Sequence, residues 1–248
     1  ELTRDGMKTS DVLNLLNDIA PFKLAESWDN SGLQAGSPDW DADRIMVALD
    51  VTLPLMQAAQ KRGCGLVITH HPLMISPEKS LDFSRMPGAA IKAAARNRIS
   101  IISAHTNLDK ADQGLNDYFA CKLGIQTGLP LLPDDSGPDE AGMITGIGRF
   151  GVLEKPLAVK DLALQTRQNL GIDKIRLTGD PDREVRNVAI CTGSGGSLVD
   201  TFVRSEAEVF ITGDVKYHEA RAVEDAGKAI IDAGHFGSEH MAIDLITD

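Results

Sequence analysis

Three short apolar runs, interleaved with helical stretches, occur twice along this chain, and that recurrence narrows the possible fold more than any other feature. The first set lies at residues 45–49, 66–69 and 99–103, with helices predicted over 53–62 and 87–96. The second set lies at residues 188–192, at 209–212 and from 230 onward. Strands that are apolar throughout must be buried on both faces, and intervening helices supply the cover; this is the signature of a mainly parallel sheet. The pattern predicts an α/β fold of two related strand–helix halves, residues 7–124 and 185–248, with a small α/β middle segment at 125–184.

The repeat extends to polar residues. Leu66-Val-Ile-Thr-His70-His71 aligns with Val209-Phe-Ile-Thr-Gly213-Asp214. The run from Ile101 to His105 and Asp109 aligns with that from Ile230 to His235 and Glu239, so each half carries His-x-x-x-carboxylate straight after a strand. Strand C-terminal edges are where open α/β sheets bind ligands. The expectation is therefore two halves in approximate two-fold relation, with their strand ends converging on one crevice.

Histidine placement gives that crevice its chemistry. The chain has six histidines. Four of them, His70, His71, His105 and His235, fall at predicted strand exits; His218 follows a strand within a turn of helix, and His240 sits beside Glu239. Core-packing histidines would scatter. With Asp109 and Glu239, the set holds enough nitrogen and oxygen donors for two divalent ions, and ligation without thiolate suits zinc, iron(II) or manganese. A thiolate-rich, closed structural zinc site does not fit this set.

Composition sets the outer limits. The net charge of −11, with no basic run, argues against general affinity for nucleic acid. Cys64, Cys121 and Cys191 are widely spaced and lack CxxC pairing, as in a reducing compartment. No apolar run spans a membrane and no signal-peptide pattern is visible. A cytoplasmic protein is expected. Residues 1–6 precede a natural-looking start at Met7 and are left out of the fold argument.

The remaining segments are more open. Thr9 or Ser10 can cap a helix whose apolar positions run from Val12 to Ile19, with Pro21 beyond its end. Residues 26–36 read as a polar loop, either a surface turn or a site rim anchored by Trp28. A helix is predicted over 113–123. The segment 125–184 begins Pro/Asp/Gly-rich at 129–142 and continues with a strand over 143–152, a helix over 157–170 and a strand over 174–177. It reads either as an inserted lid or as an ordinary continuation of the sheet. The glycine-rich turn from Cys191 to Ser197 could cradle a phosphate, although a tight turn into a helix is the reading favoured here.

The blocks WDNSGLQAG (28–36), THHPL (69–73), SAHTNLD (103–109), ITGDVKYHEA (211–220) and DAGHFGSE (232–239), in that order, resemble the signatures of the GTP cyclohydrolase I type 2 homologue family, the Nif-three-like proteins. The resemblance implies a two-halved α/β unit with a dinuclear metal centre, assembled as a toroidal homohexamer. It implies that His70 and Asp109 hold one metal, that His71 and His235 hold the other, and that Glu239 bridges them. His105 would lie behind the ligands or touch the substrate. Family members usually continue into a further strand and tail, which are missing after Asp248 here.

Three functions follow. The first is a dinuclear-metal-dependent hydrolase, by resemblance a GTP cyclohydrolase opening a purine nucleotide ring, with His105 or His218 moving protons. The second is a metal-dependent phosphoesterase. The third is a non-enzymatic metal-binding scaffold that regulates a partner.

Overall fold

The computed structural model describes residues 6–138 and 142–248; the first five residues and three from the Pro/Asp/Gly-rich stretch lie outside the described set. The described residues divide into two compact units, one formed by those up to 111 with 242–248, the other by those between 112 and 241.

The first unit opens with α1 (Thr9–Ile19) and continues through β1 (Gly32–Ala35), β2 (Ile45–Ala48), α2 (Leu53–Lys61), β3 (Leu66–Thr69), α3 (Gly88–Asn97), β4 (Ser100–Ser103) and the short α4 (Thr106–Lys110). Local chemistry sets the boundaries. The Thr52 hydroxyl accepts a hydrogen bond from the Leu55 amide at the start of α2, and Pro54 lies in its first turn, where no intrahelical amide is needed. The sheet order is β1-β4-β3-β2, with β2, β3 and β4 mutually parallel and β1 antiparallel. Every residue of β3 and β4 is buried. Val67 and Ile101 pack with Met56, Ala59, Ala90 and Ala94 of α2 and α3. Leu66, Ile68 and Ile102 pack with Val12 and Leu16 of α1. Each valine, leucine, isoleucine or methionine among them contributes about 1.5–3 kcal/mol when fully buried.

β1 falls inside the stretch read from sequence as a loop. Gly32 and Gly36 have φ of 108° and 113°, and a Cβ on Gly36 would come within 2.7 Å of the Ser100 Cα. Gly36, which resembles loop punctuation, here lets the end of an edge strand approach β4 closely.

The second unit contains α5 (Leu115–Lys122), β5 (Gln126–Thr127), β6 (Leu132–Pro133), β7 (Gly146–Ile147), β8 (Arg149–Ala158), α6 (Val159–Leu170), β9 (Arg176–Thr178), β10 (Glu184–Ser194), α7 (Val199–Arg204), β11 (Val209–Gly213), α8 (Tyr217–Asp225), β12 (Ala229–Asp232) and α9 (His235–Glu239). Its main sheet runs β5-β8-β10-β11-β12-β9, while β6 and β7 form a separate pair. β10, β11 and β12 are parallel, and β5, β8 and β9 join antiparallel. The segment 125–184 thus supplies the antiparallel margins of this sheet, which is mixed. Buried and partly buried residues alternate along the first half of β8, as suits a strand with one covered face. Phe202 of α7 packs on Phe210 of β11 with ring centroids 5.2 Å apart, joined by Val199, Val223 and Ile230. The last helix, α10 (Ala242–Thr247), belongs to the first unit, where Ile246 packs on the α1 side of the core.

The internal repeat read from the sequence has a topological counterpart. Each unit has three parallel strands in chain order, an antiparallel strand beside the third, and a five-residue helix just after the third.

Candidate metal centre

In the first unit β3 ends in the two histidines. The Thr69 hydroxyl donates to the His71 carbonyl at 2.8 Å and the Ser103 hydroxyl to the same oxygen at 3.2 Å, which bends the chain as it leaves the ladder. The His70 and His71 rings consequently come together, with centroids 5.1 Å apart, although adjacent strand residues would face opposite ways. The His105 ring lies 5.2 Å from that of His70 and 5.6 Å from that of His71. Each of these three rings offers a nitrogen within 4.8 Å of the others, a group that could hold a metal ion. Asp109 follows His105 by one helical turn, and its Oδ1 lies 3.8 Å from His70 Nε2. His70 is fully buried and Asp109 nearly so.

In the second unit His235 opens α9 and Glu239 lies one turn on. His235 Nε2 and Glu239 Oε2 are 2.9 Å apart. Glu239 is buried, and its Oε1 would lie 1.9 Å from a Cβ on Gly193, so only glycine leaves room for it there. The Ser238 hydroxyl, which accepts from the Gly193 amide at 2.8 Å, fixes the same approach. The Glu239 carboxylate, aided by Asp214 and opposed by partial burial, raises the His235 pKa to about 9. A bound cation would compete with that proton.

Four histidines share one construction. Nδ1 of His70 meets the Ala104 carbonyl at 2.8 Å, that of His71 meets Asp50 at 2.9 Å, that of His105 meets Asp29 at 2.8 Å, and that of His235 meets Asp214 at 2.7 Å. A carbonyl or carboxylate oxygen only accepts, so each Nδ1 carries the proton and Nε2 is the second nitrogen of each ring, that of His235 facing the Glu239 carboxylate. Metal-binding histidines are characteristically oriented in this way by a group behind the ring. Burial alone would raise the Asp29 carboxyl; hydrogen bonds from His105, Thr106 and Ser31 outweigh it and hold the group well below the usual carboxylate range.

The sequence reading missed Asp29, Asp50 and Asp214 as orienting groups. One signal was available: Asp50 and Asp214 each stand at the exit of the strand beside the one that carries the histidine. Of the proposed proton carriers, His105 is in the cluster, whereas His218 is exposed on α8 against Tyr217 and belongs to neither donor group. At the glycine-rich turn, a Glu219 carboxylate oxygen lies 2.7 Å from the place of a Gly196 Cβ, which disfavours a phosphate.

Clustered imidazoles and buried carboxylates at the ends of parallel strands define an α/β protein with side-chain groups that could hold a metal ion. Comparison with known proteins makes this specific: the Duf34/NIF3 (NGG1p interacting factor 3) family profile matches residues 7–248, and the chain belongs to that family. Among its relatives, a Clostridium acetobutylicum protein named GTP cyclohydrolase 1 type 2 homolog is 34% identical over 96% of this chain and 87% of its own length. A Helicobacter pylori protein named GTP cyclohydrolase 1 type 2 is 34% identical over 92% of this chain and 86% of its own. Among solved structures, Staphylococcus aureus protein SA1388 superposes with a TM-score of 0.84 at 28% identity, covering 96% of this chain and 89% of that one. Reduced HcgD from Methanocaldococcus jannaschii gives 0.80 at 26%, covering 96% and 91%.

Proposed function

We propose that this chain is a dinuclear-metal-dependent hydrolase that opens a ring in a nucleotide-class substrate, the activity named for its Helicobacter pylori relative. The observation that carries the proposal is the shared construction of the four histidines, each tied back through Nδ1 to an acceptor. Rings held this way are preorganised ligands, and the donor set of imidazole and carboxylate fits zinc, iron(II) or manganese. As in the family resemblance, His70 and Asp109 are proposed for one ion and His71 and His235 for the other, with Glu239 shared.

Such a pair of ions, when bound, supplies Lewis acidity and an activated water. His105 is proposed to move the proton: Asp29 fixes its tautomer, which leaves Nε2 as the basic atom. Asp50 and Asp214 keep His71 and His235 in position. His218 is a second candidate proton carrier. The relatives' names favour ring opening over phosphoester cleavage, and the acid-facing glycine turn gives no phosphate cradle.

We further propose a toroidal homohexamer in the cytoplasm. No described helix is long and apolar enough to cross a membrane, and the three cysteines are unbridged. Reconstitution with zinc, manganese or iron(II), followed by elemental analysis and GTP turnover on one preparation, tests the reading. About two ions per chain and turnover lost in Glu239→Ala are expected. Metal uptake without turnover of any nucleotide or phosphoester would leave the regulatory scaffold as the function.

A further inference from the structure

Beside the imidazole cluster of the first unit lies a groove of about 590 Å³, within the range of small-molecule sites. Its walls are the 27–30 loop and the 74–81 segment. They are joined by hydrogen bonds: the Asn30 side chain donates to the Met74 carbonyl at 2.6 Å, the Met74 amide reaches the Gln34 side chain at 3.4 Å, and Gln34 in turn donates to the Asn30 carbonyl. Trp28 forms one side and is 58% exposed; Ile75 and Leu81 are also exposed. Large apolar side chains open to water at a formed groove mark a surface that something covers.

Chemistry and charge specify the occupant. The Trp28 and His105 rings meet at 77° with centroids 6.1 Å apart, so a planar ring stacked on an open indole face lies near His105. The lining contains Asp29 and Glu78 and no lysine or arginine. Asp29 is buried and committed to His105 and Thr106. Glu78 lies next to Lys79 in the chain but forms no ion pair with a cation among the described residues, and its carboxylate can accept from ring N–H groups. A phosphate would meet only negative charge in this groove.

We propose that this groove binds the substrate through a planar, N–H-bearing heteroaromatic ring stacked on Trp28, and that any phosphates the substrate carries lie outside it. The role in turnover rests on the proposed function above; the binding does not, because it is measured without metal. The chain has two tryptophans, so Trp40→Phe leaves Trp28 as the sole reporter. Chelator-treated Trp40→Phe protein is titrated with guanosine, adenosine, a pterin, GTP and inorganic triphosphate, following indole fluorescence. Guanosine and GTP are expected to quench with dissociation constants within about threefold of each other, and triphosphate not at all. By calorimetry on the otherwise unaltered chain, Trp28→Ala weakens guanosine binding at least about tenfold while Trp28→Phe retains it. Should Trp28→Ala misfold by circular dichroism, Leu81→Asp on the exposed wall gives the same test.

GTP binding more than about tenfold tighter than guanosine, or competition by triphosphate, would show that the groove reads phosphate and overturn the proposal. So would silence with all three rings. A ligand-free emission that changes with protein concentration would assign the groove to a second copy of the chain. Loss of hydrolysis with ring binding intact would count against the metal reading alone.

Discussion

Asp29 holds His105 from behind: Oδ1 lies 2.8 Å from Nδ1, while Oδ2 accepts from the Ser31 hydroxyl at 2.8 Å and the Thr106 hydroxyl at 2.5 Å. The carboxylate side chain is fully buried. These bonds keep it ionised well below the usual carboxylate range, so the folded state binds its proton later than the unfolded chain does as the pH falls. The stabilisation is complete above the unfolded carboxyl value, about 3.9, and is lost as the pH drops through the lower folded value. Denaturation at stepwise pH from about 2 to 6 should show this acid limb in the wild type and a flatter one in Asp29→Asn. Equal slopes would mean that Asp29 is not the linked group. On the proposed hydrolase function, the same substitution, which frees the His105 tautomer, should lower the turnover of metal-loaded protein by about 10²-fold or more.

Gly193 predicts a second effect. Its φ is 65°, so alanine there carries a backbone cost of about 1–2 kcal/mol, and its Cβ would also collide with Glu239. Gly171 makes a matched control: its φ is 63°, with nothing within 4 Å of a Cβ. Gly171→Ala should show the backbone cost alone, Gly193→Ala should lose more stability than that, and only Gly193→Ala should lose bound metal by elemental analysis. Equal metal content in the two would show that Glu239 is not a ligand.

Away from the donor groups, Arg149 grips Asp117 with two hydrogen bonds of 2.9 Å, and its remaining nitrogen donates to the Gly148 carbonyl at 2.9 Å. Arg149 is buried and its partner largely so. Removing one member leaves the other charge desolvated, so Asp117→Ala should cost about 3–5 kcal/mol in urea unfolding. Replacing both with apolar residues of similar size should cost far less. A loss under 1 kcal/mol in the single variant would indicate that solvent reaches the guanidinium.

Much of this could be read in the chain before any coordinates. The parallel triplets follow from continuous apolar runs, and the His-x-x-x-carboxylate spacing places both groups on one helical turn, as His235 and Glu239 show at 2.9 Å. What escaped depends on contacts distant in sequence. Asp29 and His105 are 76 residues apart, and Asp50 and His71 are 21 apart, with no local pattern joining them. The strand β1 escaped because Gly32 and Gly36 look like turn residues, while the service of Gly36 to close packing against Ser100 is visible only in three dimensions. The antiparallel margins escaped because β8 and β9 come from a segment whose turn-rich start suggested an insertion.

Metal removal gives the last prediction. If the imidazoles of the first unit are ligands, bound metal stabilises the fold by mass action, about 2.7 kcal/mol at a hundredfold excess over the dissociation constant. Chelation should therefore lower Tm, and re-addition of zinc or manganese should restore it. His70→Ala should bind about one ion fewer per chain, because the Ala104 carbonyl then has no ring to orient towards the metal. Its chelation shift should be smaller than that of the wild type. His240→Ala serves as the control: His240 stacks on Phe236 with Nδ1 bonded to the Phe236 carbonyl at 3.2 Å, and losing that ring should leave metal content unchanged. A His70→Ala protein that retains the full metal content and the full Tm response would remove this ring from the ligand set. The assignment of one ion to His70 and Asp109 would fall with it.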